Sequence, residues 1–464
     1  MAQSHFDLLV VGAGQAAVPL AVALAKEKWR VGVAERAHLG GSCVNFGCTP
    51  TKAALASAHV AHMARRAADF GVTIPTVEPD FAAVMARARA IRDNSRESLA
   101  AAFQGARAPT LLRGHARFTG RDGDFFRLEI AGEAGLRTVT AERVVIDTGT
   151  RSRIPPIEGL KGVPFLDAGN WLARTHAPRH LLMVGGSYVG LELGQFYRRM
   201  GAEVTVIHAG VQVLEREDAD VAAGVQRGLE GEGIRFHLRK KALKVEGTDD
   251  GVCLTIEGPR GGETVLDGSH LFVATGRVPN TGDLGLDSIG LTPEEKGTLG
   301  VDAHLETAVP GVFAVGDVRG GAPFTHTAWD DYRIVLSHLT GDGTHTTDRV
   351  VPYGVFTDPE LGRVGLTERE ARDAGLDVAV ATYDLAKNGR SIEAGDTAGF
   401  VKVVADRATK RILGAAVLGA QGAELVHVYV TLMNADAPYT ITRDAVHVHP
   451  TLMEAVQSVL RDLP

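Results

Sequence analysis

The sequence predicts an α/β fold: two copies of one strand–turn–helix–strand unit, followed by an α+β tail. Three observations carry that expectation. Phe6–Val11 (FDLLVV) is a short apolar run bounded by glycine, as a buried parallel strand requires. Gly12–Ala17 (GAGQAA) then opens a helix rich in alanine and leucine, and VGVAER closes the unit at Glu35. The same grammar returns at residues 181–208, where LLMVGG leads into GGSYVGLELGQFYRRMG and ends in the strand VTVIH. Gly12 and Glu35 are 23 positions apart, and so are Gly185 and His208. Towards the C-terminus, short strands (YGVFTDPELGRVGLTE, GFVKVVAD, ILGAAVLG) alternate with turn signals and finish in helices.

Equal internal spacing argues for two dinucleotide-binding units rather than one motif met twice by chance. Glycine permits the tight turn and the close backbone approach. The following helix N-terminus offers free N–H groups and positive potential to a pyrophosphate. Gly12 and Gly14 serve the first turn, and Gly185 and Gly190 the second; Ala17 and Ser187 stand where a fingerprint has glycine. Two ordinary strand–helix turns are the alternative.

Between and after these units, VVIDTGTRSRIPP near residues 144–156 and LFVATGRVPN at 271–280 each run from apolar strand to glycine, arginine and proline. Thr148, Gly149 and Gly276 lie in these segments, which read as domain exits. A further strand, VFAVGD, ends at Asp317. The expected divisions are 1–150, 151–277, 278–347 and 348–464.

A chain of 464 residues is too long for one hydrophobic core. Its 45% hydrophobic and 23% charged composition is that of a globular protein. The formal charge of −7 provides no basic field for nucleic acid. No run approaches the roughly eighteen apolar residues of a membrane span. MAQSH leads straight into a strand without a charged n-region, so a cytoplasmic enzyme is expected.

Only Cys43, Cys48 and Cys253 are present, which excludes a disulfide framework and points the close pair to redox or metal chemistry. In a regular helix, residues five apart are separated by more than ~7 Å at Cα, so Cys43 and Cys48 can pair only where the helix start is distorted. Gly40, Gly41, Gly47 and Pro50 supply that irregularity in GGSCVNFGCTPTK. Beside a dinucleotide fingerprint, the pair suggests a redox-active disulfide sharing a site with a flavin. Burial as ordinary core thiols is the alternative. No second Cys/His pair follows at zinc spacing, so no metal site is expected. Cys253, in GVCLTIEG, reads as structural.

GAGQAA with Glu35, CVNFGC, the two exits, GGSYVGLE, the stretch Thr307–Asp317 and HVHPTLMEA together resemble the class I pyridine nucleotide-disulfide oxidoreductases, nearest the mercuric-reductase-like branch. The resemblance is collinear over essentially the whole chain. It implies two Rossmann-like domains, for FAD and NAD(P), a central domain completing the FAD site, and a C-terminal α+β dimerisation domain. It also implies a homodimer with shared active sites. Glu35 is expected on the adenosine ribose of FAD and Asp317 on the ribityl chain, with Gly41 and Ser42 also at the flavin. Lys52 is expected beside the flavin, paired with Glu192, with an ordinary solvated ion pair as the alternative.

By the same resemblance, Cys48 faces the flavin and Cys43 is the interchange thiol that attacks substrate. A thiol with pKa near 8.5 needs a base, and His449 of the partner subunit, oriented by Glu454, fits that role. His447 reads as structural.

The second unit ends in His208 rather than an acid, which removes a repulsion of the 2′-phosphate; with Arg216 nearby, the expectation leans to NADPH, with NADH as the other choice. Tyr188 matches the aromatic gate over the nicotinamide in glutathione reductases. The expected substrate is a small-molecule disulfide or dithiol. Mercuric ion reduction is an alternative, although the chain ends VQSVLRDLP without a C-terminal cysteine pair. A quinone reductase or a redox-signalling flavoprotein is a third reading.

Overall fold

The structure is a computed structural model that describes residues 4–464. β1 (Ser4–Val11) ends in four buried residues, so both of its faces must be covered. α1 (Ala17–Lys26) supplies one cover through Leu20, Ala21 and Leu24, all fully buried. β2 (Val31–Glu35) pairs parallel with β1, setting Val11 beside Ala34. Two helices follow, α2 (Gly41–Asn45) and α3 (Cys48–Arg65), separated by Phe46 and Gly47. α4 (Phe81–Ala101) is capped by Asp80, whose carboxylate accepts the Ala83 N–H, and it packs along α3.

β3 (Thr110–Arg113) extends the sheet beyond β2. β4 (His115–Asp122), β5 (Phe125–Gly132) and β6 (Gly135–Ile146) form an antiparallel meander. The first residues of β6 are exposed and its last three buried, because the strand leaves the meander and enters the sheet parallel to β1.

β7 (Thr150–Ser152) carries the chain into the second unit: β8 (His180–Val184), α5 (Tyr188–Arg199), β9 (Glu203–His208), α6 (Ala219–Gly231) and β10 (Arg235–Leu238). An antiparallel sheet of β11 (Lys241–Thr248), β12 (Gly251–Glu257) and β13 (Glu263–Gly268) precedes β14 (His270–Val273), which returns beside β8. The parallel order is β10-β9-β8-β14. β15 (Arg277–Pro279) then pairs antiparallel with β7, Arg277 opposite Ser152. The two exits thus meet as one crossing ribbon.

β16 (Val312–Ala314) rejoins the first sheet parallel to β6, which brings Asp317 back to the first fingerprint. α7 (Thr325–Thr340) follows. The last sheet is antiparallel and contains β17 (Pro352–Val355), β18 (Leu361–Gly365), β19 (Val378–Asp384), β20 (Phe400–Asp406) and β21 (Ile412–Leu418), in the order β17-β18-β21-β20-β19. Val401, Val403 and Val417 of this sheet pack with Tyr429, Val456 and Leu460 from the C-terminal helices. Each fully buried valine or leucine there contributes roughly 1.5–3 kcal/mol. Among the described residues, no helix is long and apolar enough to cross a membrane.

Candidate active site

A cavity of about 890 Å³ opens at the carboxyl ends of β1, β2 and β6, where open α/β sheets bind ligands. Its wall includes Gly12, Gly14 and Glu35 and also Cys43, Cys48, Lys52, Tyr188 and Glu192. One continuous space therefore reaches from the first fingerprint to the cysteine pair. Its size is near the top of the ~300–1,000 Å³ typical of ligand pockets, as an extended dinucleotide requires.

The wall is shaped for close backbone approach. Gly12 has φ +97°, and a Cβ there would lie 2.3 Å from the Asp147 carbonyl oxygen. A Cβ on Gly14 would lie 2.7 Å from the Asp147 carboxylate, and one on Gly41 3.2 Å from Gly14 Cα. Glu35 is held at the wall by the Ala13 and Ala37 N–H groups, at 2.8 and 2.6 Å. The Thr150 hydroxyl donates to Asp317 at 2.8 Å, and the buried Thr148 hydroxyl, near Gly149, has no protein partner. Ser42 completes this part of the lining. Fixed carboxylates, an orphaned hydroxyl and a glycine cradle fit FAD.

Asp147 is a wall residue that sequence reasoning missed. Its carboxylate accepts the Ala17 N–H at 2.9 Å, at the start of α1. Burial pushes its pKa well above the usual carboxylate range, and Asp331, Asp317 and Glu35 add to the effect. The available signal was an acid interrupting the apolar run VVIDTG.

Cys43 lies in α2 and Cys48 is the first residue of α3, so the break at Phe46–Gly47 supplies the expected irregularity. A Cβ on Gly47 would sit 3.0 Å from the Ser42 carbonyl and 3.3 Å from Cys43 Cα. Glycine there lets the two segments approach. Cys43 and Cys48 both line the cavity, and Cys48 is the more exposed of the two. The Cys43 thiol, the Thr325 hydroxyl at 3.3 Å and the Lys52 ammonium bring the Cys48 pKa down to about 6, against the opposing effect of burial. Cys43 moves the other way, raised by its neighbour Cys48 and by burial. Cys48, beside Thr325 and Lys52, is the better placed of the two to hold a thiolate. Thr325, from the start of α7, is a second residue that local sequence did not single out.

Lys52 Nζ and Glu192 Oε2 are 2.7 Å apart, and the Glu192 side chain is only 3% exposed. Glu192 also accepts the Phe356 N–H at 2.9 Å, and Lys52 lies over the Phe356 ring. This is a fixed pair, not a solvated one. Tyr188 lines the same cavity and tilts against Phe324.

In the second unit, Gly185 has φ +122° and Gly190 permits close packing of α5 on β8: a Cβ there would be 2.3 Å from the Gly185 carbonyl. Ser187 occupies the N-cap of α5, and Gly276, at φ +108°, turns the chain into β15. His208 ends β9, and Arg216 lies in the loop that follows. The imidazole is turned inward, where Nδ1 accepts the Gly186 N–H at 3.2 Å, and burial lowers its pKa. Arg216 is exposed.

His449 lies outside the cavity formed by its own chain. Its Nδ1 is 3.0 Å from Glu454 Oε1, and its side chain is 77% exposed. Glu454 raises the His449 pKa and is itself fixed by the Thr451 N–H at 2.9 Å. Cys43, Cys48, Lys52 and Glu192 are thus brought together within one chain, whereas His449 and Glu454 form a separate exposed pair.

The sequence model described as pyridine nucleotide-disulphide oxidoreductase matches residues 6–331. That of the same group's dimerisation domain matches residues 351–460. The chain is 32% identical to the probable pyridine nucleotide-disulfide oxidoreductase RclA of Escherichia coli (strain K12), covering 98% of this chain and 99% of the relative. It is 35% identical to the dihydrolipoyl dehydrogenase of Thermus scotoductus, covering 99% and 97%. Its fold is similar to the solved Cu(II) complex of the HOCl-induced flavoprotein disulfide reductase RclA from Escherichia coli, with TM-score 0.89, 30% identity and 99% of each chain covered. The chain belongs to the pyridine nucleotide-disulphide oxidoreductases, enzymes that use FAD and NAD(P)H in disulfide chemistry, and it carries the family's dimerisation domain.

Proposed function

We propose that the protein reduces a small-molecule disulfide at Cys43, with Cys48 completing the exchange and His449 of a second copy handling the proton. Bound FAD supplies the two-electron link between NAD(P)H and the cysteine pair. The observation that carries the assignment of roles is the setting of Cys48, 3.3 Å from the Thr325 hydroxyl and beside the Lys52–Glu192 pair, where the Cys43 thiol, Thr325 and Lys52 lower its pKa. Cys48, beside Lys52 and Thr325, holds the thiolate, while Cys43 needs an external base before it can act. His449 supports that need: Glu454 takes Nδ1–H, which leaves Nε2 free as the proton acceptor.

The exchange then balances. The Cys43 thiolate attacks one substrate sulfur, forming a mixed disulfide and expelling a thiolate that takes the proton from His449. The Cys48 thiolate attacks the Cys43 sulfur and restores the Cys43–Cys48 bond, expelling the second product as a thiolate that takes a proton from solvent. The exposure of His449 in a single chain supports a homodimer in which this imidazole meets the partner's cysteines.

The test is an anaerobic titration of the purified flavoprotein with NADH and with NADPH, following its visible spectrum in wild type and Cys48→Ser. A long-wavelength band that the variant lacks is the expected result. Direct bleaching with no such band in wild type would leave a quinone-type reductase in its place.

A second reading, reduction of a soft metal ion such as Cu(II) or Hg(II), draws on the solved Cu(II) complex of RclA and on two thiols open to the cavity. NAD(P)H-dependent loss of either ion that survives His449→Gln but not Cys43→Ser would favour it.

A further inference from the structure

We propose that Glu215, a residue outside both fingerprints, selects the pyridine nucleotide, so that the protein takes NADH in preference to NADPH. The proposal rests on reading the unit β8–α5–β9 as the pyridine-nucleotide site. In such a unit the adenosine ribose lies beyond the end of the second strand, where a carboxylate accepts from the 2′-hydroxyl and repels a 2′-phosphate. β9 ends in His208, so the strand end itself carries no such acid.

His208 does not replace it with a cation. Its ring packs directly on the fingerprint loop, since a Cβ on Gly186 would come within 2.9 Å of His208 Cγ. Because Nδ1 accepts the Gly186 N–H, the proton of the neutral ring sits on Nε2. Burial disfavours adding a second proton.

Glu215 stands in the vacated role. Its Oε1 is 3.9 Å from His208 Nε2, and the side chain is 61% exposed. A Cβ on Gly210 would lie 2.0 Å from that same oxygen, so the carboxylate lies against the turn that follows β9. Glycine at 210 is what makes room for it. The backbone beneath it is fixed from the last sheet's domain: the Arg369 guanidinium donates to the carbonyls of Glu215 and Arg216, at 3.4 and 3.2 Å. Arg216 and Arg239 are exposed cations beside the same turn, so the two arginines are the rival determinants. Arg239 donates its backbone N–H to the Gly210 carbonyl at 2.9 Å, and Lys240 its own to the His208 carbonyl at 3.0 Å.

The test is calorimetric binding of NAD+ and NADP+ to the intact flavoprotein, for wild type, Glu215→Gln, Arg216→Ala and Arg239→Ala. Wild type is expected to bind NAD+ about tenfold or more tightly than NADP+, as removal of one like-charge contact implies. Glu215→Gln narrows that ratio by raising NADP+ affinity, while both arginine variants leave the ratio unchanged. Tighter binding of NADP+ by wild type, an equal change for both nucleotides in Glu215→Gln, or a ratio that moves in an arginine variant instead would overturn the proposal. Binding of neither nucleotide would overturn the site reading beneath it, a result distinct from a wrong preference.

Discussion

Lys52 Nζ lies 2.7 Å from the nearly buried carboxylate of Glu192, joining the helix that begins with Cys48 to the first helix of the second unit. The pair spans two units of the chain at the cysteines. Lys52→Met strands the Glu192 charge with only the Phe356 N–H as a donor. Removing one partner of a buried pair typically costs roughly 3–5 kcal/mol, and a value near the lower end is expected because Lys52 remains partly open. Chemical denaturation of Lys52→Met and of Lys52→Met/Glu192→Gln separates stability from chemistry. The double variant should recover most of the stability but not the low Cys48 pKa.

Thr325 is one of the groups that hold Cys48 as a thiolate, at 3.3 Å. Because its neighbours lower the Cys48 pKa, its thiolate persists to lower pH than that of an ordinary thiol. An ordinary thiol, at ~8.5, would already be mostly protonated at neutral pH. Thr325→Val should move the midpoint of Cys48 alkylation upward by up to about one unit, and Lys52→Met in the same direction. Measuring alkylation rate against pH in a Cys43→Ser background, with and without each substitution, checks this. An unchanged midpoint would show that neither group stabilises the thiolate.

What the sequence made legible was whatever is encoded over short separations. The fingerprints are runs of a few residues, the Cys43–Cys48 pair lies in one loop, and His449 and Glu454 are five apart, so spacing alone marks them. The Lys52–Glu192 pair spans 140 residues and was reached only through resemblance to a family. Thr325 meets Cys48 across 277 residues with no local pattern to announce it, and Asp147 meets Ala17 across 130, its one local sign being an acid in an apolar run. His208 shows a different limit. Its position at the end of β9 was readable, but the direction of its ring depends on Gly186, whose missing Cβ leaves space for the imidazole to turn inward.

Glu454 raises the His449 pKa, so the imidazolium persists to higher pH than an isolated histidine would allow. Protonation of the departing thiolate uses that form, and it is lost as pH rises through the raised pKa. Glu454→Gln should therefore shift the alkaline limb of disulfide reduction to lower pH and reduce turnover by roughly 10–100-fold, within the range for general acid–base groups. Electron transfer to quinones, which requires no thiol chemistry, should be unaffected. A matched loss of both activities would mean that Glu454 acts on the fold or the dimer rather than on His449.

Asp147 offers the cleanest separation of charge from shape. Its folded-state pKa is raised, so its favourable protonated form is fully present below the unfolded value near 3.8, and that contribution is lost as pH rises through the folded pKa. Asp147→Asn keeps an acceptor for the Ala17 N–H while removing the charge that burial and the carboxylates of Asp331, Asp317 and Glu35 oppose. The variant should be more stable than wild type at pH 8, by about 1–3 kcal/mol, with the difference shrinking towards pH 4. Thermal unfolding of both proteins across that range, each saturated with FAD, measures it. A difference that grows on acidification would show that Asp147 is ionised in the folded protein and that the amide at the start of α1 relies on its charge.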